Sequence, residues 1–79
     1  MVSKKIFHTI DELQTVQFLA TKSLYDVGLQ SSDGTVSIDA KSYIGMYALN
    51  FDEPILVVSE DEDFHKQIAS IGQNLPLEG

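Results

Sequence analysis

The chain has 79 residues, 43% of them hydrophobic, no cysteine and a formal net charge of −7. That length suits one domain near the lower limit for a self-sufficient core, and the missing cysteines exclude disulfides, thiolate catalysis and cysteine-based zinc sites. The acidic balance makes nucleic acid a poor partner, because phosphate binding needs clustered cations. The cations are Lys4, Lys5, Lys22, Lys41 and Lys66, with no arginine among them. Arginine supplies the planar fork that grips phosphate, so its absence bears on any phosphoryl chemistry.

Residues Ser3 to His8 read as a first strand, with Ile6 as its expected core residue. No apolar h-region follows Lys4 and Lys5, so a secretion signal is not expected here. Thr9-Ile10-Asp11-Glu12 is a capping box, in which Thr9 caps the Glu12 amide and Glu12 reaches back. A helix should run from there to about Ser23, its apolar stripe made by Ile10, Leu13, Val16, Leu19 and Ala20. Tyr25 to Ser31 alternates Tyr25, Val27 and Leu29 on one face, as a half-buried strand does. Ser32-Asp33-Gly34 is a hairpin turn, and Thr35 to Asp39 is the partner strand with Val36 and Ile38 inward.

Ser42 is a good N-cap, and a short helix from Ser42 to about Leu49 should follow it. At 100° per residue, Met46 and Leu49 share one side of that helix, while Tyr43, Ile44 and Tyr47 share nearly the opposite side. One core can bury only one of these sides, so the other is a candidate exposed contact surface. Pro54 suits a strand start or an edge, and Ile55-Leu56-Val57-Val58 is a central-strand run. The acids Glu60 to Asp63 suit the first turn of a last helix. Phe64, Ile68 and Ile71 recur at helical spacing, and Gly72 is a natural residue to end it. Gln73 to Gly79 reads as a loose tail of the single domain, residues 1–79. No apolar run approaches about 18 residues, so no membrane span is expected, and the cytoplasm is the expected compartment.

The order β-α-β-β-α-β-α predicts an α+β open-faced β-sandwich, a four-stranded antiparallel sheet with three helices on one face. Ala40-Lys41-Ser42, Gly45 and Leu49 stand in the register of a known segment, A-K-S-I-M-G-V-M-S-L-G. In this the chain resembles HPr, the histidine-containing phosphocarrier of the bacterial sugar phosphotransferase system, whose regulatory serine lies there. The match runs back without a gap to Gln17-Phe18 and covers most of the chain loosely. The resemblance implies the same open-faced arrangement, with the loop before the last helix and that helix itself shorter than in the family.

In the family a histidine at the start of the first helix carries phosphate, in a pattern close to H-T-R-P-A. The gapless register puts Asp11 at the histidine position and Glu12-Leu13-Gln14-Thr15 after it, so none of the catalytic types survives. Two carboxylates there repel a phosphoryl donor, whereas the chemistry wants a nucleophilic nitrogen and positive charge. Their simpler role is that of first-turn acids on a helix macrodipole. Phe7-His8-Thr9 echoes the family's leucine-histidine-threonine, which keeps His8 as an alternative carrier. It requires a three-residue insertion in the first helix and a shortened first strand. His65 reads as an exposed helical residue, and two histidines so far apart do not indicate a metal. No cofactor is expected.

Ser42 is read as an N-cap first and, by the resemblance, as a phosphorylation candidate, with Lys41 as its adjacent cation. In the family, the positions of Tyr43, Ile44 and Tyr47 help form the partner-contact surface. The expected function is therefore that of a non-catalytic regulatory or protein-interaction module. Its expected partner is another protein, from the phosphotransferase system or from transcriptional regulation, with a homodimer as a further option. Phosphate transfer on His8 is the alternative.

Overall fold

The structure is a computed structural model that describes residues 1–42, 45, 49–50 and 52–77. In chain order it contains β1 (Val2–Ile6), α1 (Ile10–Lys22), β2 (Val27–Ser31), β3 (Ser37–Asp39), β4 (Ile55–Ser59), α2 (Glu62–Ile68) and β5 (Gln73–Leu75). The strands form one antiparallel sheet in the order β3-β2-β4-β1-β5. The class is α+β with an open sheet. Where four strands and three helices were expected, the described residues form five strands and two helices.

The fifth strand corrects the reading of residues 73–79 as a loose tail, because Gln73, Asn74 and Leu75 pair along β1 against Ile6, Lys5 and Lys4. Gly72 makes the turn possible. Its φ is 70°, and a Cβ there would stand 2.7 Å from the Ile6 carbonyl oxygen, a contact no side chain tolerates. The glycine thus delivers β5, and α2 has already ended at Ile68, capped by Ala69. The short helix expected over Ser42 to Leu49 falls largely outside the described residues.

β4 is central, as its β-branched run predicts. Ile55 and Val57 are fully buried opposite Lys5 and Ser3 on one side and Ser31 and Leu29 on the other. The helices cover that face with Leu13, Val16 and Ala20 from α1 and Phe64 and Ile68 from α2, and all of these join one core with Val27 and Leu29. Ala40 and Leu49 join it from the segment after β3. The opposite face, which carries Val2, Lys4, Ile6, Gly28, Gln30, Leu56 and Val58, has no such cover among the described residues.

The phase of β1 differs from expectation. Ile6 is only half-buried and looks to the open face, while Lys5 and Phe7 go into the core. A period of two leaves no compromise: burying Phe7 turns residue 5 inward and residue 6 outward. Tyr25 likewise precedes β2 rather than extending its buried side, and it is 52% exposed. Val36 and Ile38 are half-buried against the core.

Candidate functional site

The start of α1 is where the sequence places its phosphoryl question. Thr9 is extended (φ −137°, ψ 157°) and its hydroxyl accepts the Glu12 amide at 3.2 Å, which completes the expected capping box. Glu12 does more than a box requires. Its Oε1 accepts the amides of His8 at 2.6 Å and Thr9 at 3.2 Å, and its Oε2 accepts the amide of Gly72 at 3.0 Å. Three backbone donors converge on one carboxylate. These bonds, the His8 one foremost, hold the Glu12 carboxyl below its ordinary value, against an upward push from burial.

Beneath this corner lies Lys5, 0% exposed, with its Nζ donating to Asn74 Oδ1 at 2.5 Å. Burial pulls the Lys5 ammonium below its ordinary value of 10.5, while the Glu12 charge favours the protonated form and opposes that shift. Asn74 in turn donates to the Ala69 carbonyl at 2.9 Å. The end of β1, the start of α1 and the turn into β5 are thus tied by polar groups that span the whole length of the chain.

Asp11 is an exposed first-turn acid, whose backbone carbonyl accepts the Thr15 hydroxyl at 2.9 Å. His8 is exposed, one residue before the cap, with its amide committed to Glu12. Ser42 is exposed and its hydroxyl accepts the Gly45 amide three residues on at 3.2 Å, in the geometry of a capping serine. Lys41, expected to stand by Ser42, instead donates its Nζ to the Ser23 carbonyl at 3.0 Å, at the C-cap of α1. There it meets the negative end of the helix dipole. Tyr43, Ile44 and Tyr47 lie outside the described residues.

His65 corrects an expectation. It is 7% exposed rather than solvated. Its Nε2 lies 2.9 Å from the Ser59 carbonyl oxygen, which can only accept, so Nε2 carries the proton. Nδ1 then accepts the Ser3 hydroxyl at 2.7 Å. The imidazole ties α2 to both β1 and β4 through satisfied bonds, as a buried histidine requires. The Ser3–His65 pair has the atoms of a nucleophile and base, yet both imidazole nitrogens are committed to protein partners and the ring is buried. The signal for its burial was present in the sequence: 64, 65 and 68 are the i, i+1, i+4 positions of a core-facing helical stripe.

The start of α2 uses Asp61. Its Oδ1 accepts the Phe64 amide at 3.1 Å and its Oδ2 accepts the Ser23 hydroxyl at 2.6 Å. The Ser23 hydroxyl first, then the Phe64 amide, hold the Asp61 carboxyl below its ordinary value. Among the described residues, no group of three or more His, Asp or Glu side chains is placed to hold a metal ion, and no helix is long and apolar enough to cross a membrane. Comparisons with protein-family models, curated proteins and solved structures return no match for the chain.

Proposed function

We propose that the chain is a non-catalytic, HPr-like regulatory or protein-interaction module related to the sugar phosphotransferase system. Its proposed place of work is the cytoplasm. The observation that carries the reading is Glu12. Its carboxylate accepts the amides of His8, Thr9 and Gly72, which are the donors a phosphoryl group at the start of α1 would use. A transferred phosphate would have to displace a covalently tethered anion and then sit beside Asp11, in a chain without arginine.

Ser42 is the proposed point of modification. Its exposed hydroxyl lies beside a backbone amide rather than a carboxylate, the setting in which a phosphate gains hydrogen bonds. The proposed contact surface is Tyr43, Ile44 and Tyr47 with Lys41, and the partner is a protein of the phosphotransferase system or of transcriptional control. Incubation with phosphoenolpyruvate and the general phosphotransferase enzyme I tests the carrier side. No acid-labile phosphate should form. Phosphate that is lost on His8→Ala would reverse the reading in favour of transfer on His8. Incubation with an HPr serine kinase tests the regulatory side, and a chain left unmodified at Ser42 would remove that part.

A further inference from the structure

The open face of the sheet is not uniform. At the β2–β4 end, Gly28 faces Val58 across the strands, and Val58 faces Val2. The missing side chain at Gly28 leaves the floor of a hollow of about 730 Å³, with Val58 beside it. Met1, Leu24 and Tyr25 stand around it, exposed by 60%, 98% and 52%. With Val2, these make four of the six large hydrophobic side chains that the described residues leave exposed. An apolar concentration of this kind on a charged surface marks a contact site.

The rim decides what would cover it. Asp26 and Glu60 line the hollow, and Glu62 and Asp63 follow at the exposed start of α2. The cation on the face, Lys4, sits one row away opposite Leu56 and Leu75. A second copy of the chain would bring the same acidic rim and another net charge of −7, so like charges oppose it. A sheet face offers side chains rather than free backbone, and its natural cover is a helix. We infer that this face docks a cationic amphipathic helix of another protein. An apolar anchor of that helix enters over Gly28, its cations lie toward Asp26 and Glu60, and Lys4 sets the orientation by repelling them from the other side. The inference does not rest on the Tyr43–Ile44–Tyr47 contact proposed above, and each stands or falls alone.

Gly28 provides the test. A Cβ there meets the Ile38 and Val58 carbonyl oxygens at an ordinary 3.8 and 3.9 Å, so a side chain is accommodated at its root and Gly28→Val raises the floor of the hollow. The probes are two designed helical peptides of about 14 residues, roughly 21 Å long, one of leucine and lysine and the other of leucine and glutamate. Amide NMR should show the lysine peptide shifting Tyr25, Asp26, Gly28 and Val58. Binding should weaken about tenfold or more in Gly28→Val, and it should fall with added salt. The double variant Asp26→Asn, Glu60→Gln should weaken it by removing the rim charge while leaving the Gly28 floor as it is. Unchanged binding by Gly28→Val, equal binding of the glutamate peptide, shifts centred on the helical side, or self-association of the chain through this face would each overturn the inference.

Discussion

The two helix starts solve one problem in parallel and differ in reach. Each has orphan amides and each uses a carboxylate of its own first turns. At α2, Asp61 gives one oxygen to the Phe64 amide and the other to the Ser23 hydroxyl, at the end of α1. At α1, Glu12 gives one oxygen to its own turn and the other to Gly72, 60 residues away. A cap is thus also a tertiary tie at both corners. The α1 corner adds a buried ammonium and a strand to what it holds, whereas the α2 corner holds only a neighbouring helix end. The difference teaches that an acid at a helix start can occupy the amides of its own turn and tie down a distant segment with the same carboxylate.

The comparison breaks most severely at Gly72. Gly72→Ala would need a positive φ that alanine resists at about 1–2 kcal/mol. It would also press a Cβ against the Ile6 carbonyl at 2.7 Å. A loss above about 2 kcal/mol is expected, with early exchange of the β5 amides, as read by denaturant unfolding and hydrogen exchange. A cost no larger than that of Gly34→Ala, at a turn where φ is 77° and nothing stands within 4 Å, would show that Gly72 is not a close approach.

His65→Leu comes next. It takes from the Ser3 hydroxyl and from the Ser59 carbonyl the partner each finds in the imidazole, while keeping bulk in the core. Leaving such groups unpaired costs about 1–3 kcal/mol. A variant as stable as the parent would mean that water or a shifted side chain replaces the imidazole. Below that comes Ser42→Ala, at about 1 kcal/mol for a lost cap. It sharpens the contrast, because Ser42 presents a neutral hydroxyl to the Gly45 amide where α1 and α2 present carboxylates. An unchanged midpoint and slope in urea would show that this hydroxyl does not cap.

Local chemistry explains which parts were legible in the sequence. The capping box at Thr9 and Glu12, the stripe of α1, the Asp-Gly turn and the central β4 each depend on neighbours in sequence, and each is found where the residues put it. The turn is held by Asp33, whose carboxyl is pushed down to about 2 by the Ser31 hydroxyl and by the Thr35 amide and hydroxyl. The phase of β1 was not legible, because Ile6 and Phe7 are adjacent and both apolar, so alternation alone allows either. Burying Phe7 commits Lys5 to the core, and what makes that tolerable is Asn74, 69 residues away. The same long-range bonds place β5, whose Gln-Asn-Leu carries no strand pattern of its own. At the candidate site, Thr9, Glu12 and Ser42 were legible as caps, but the second bond of Glu12 to Gly72 and the turn of Lys41 onto Ser23 were not. Both depend on where distant chain comes to rest.

The smallest expected effect separates the two corners by pH. Glu12 is held below its ordinary value of 4.5, by the His8 amide foremost, and Asp61 below its ordinary 3.8, by the Ser23 hydroxyl foremost. A carboxyl whose folded value is depressed contributes stability that is complete above its unfolded value and is lost as pH falls through its folded one. Glu12 should therefore begin to give way on acidification below about pH 4.5, and Asp61 only below about pH 3.8. In urea unfolding followed from about pH 6 down to about pH 3, Glu12→Gln should flatten the upper part of the acid decline. Asp61→Asn should spare that part and flatten the lower. Each variant keeps one acceptor oxygen and turns the other into a donor, so it loses a bond at every pH, and the readout is the slope of the acid decline rather than the absolute stability. If Glu12→Gln declines as steeply as the parent just below about pH 4.5, the carboxylate does not hold the His8, Thr9 and Gly72 amides in solution. The start of α1 would then be open to an outside anion, and the case against phosphate at that corner would lose its physical basis.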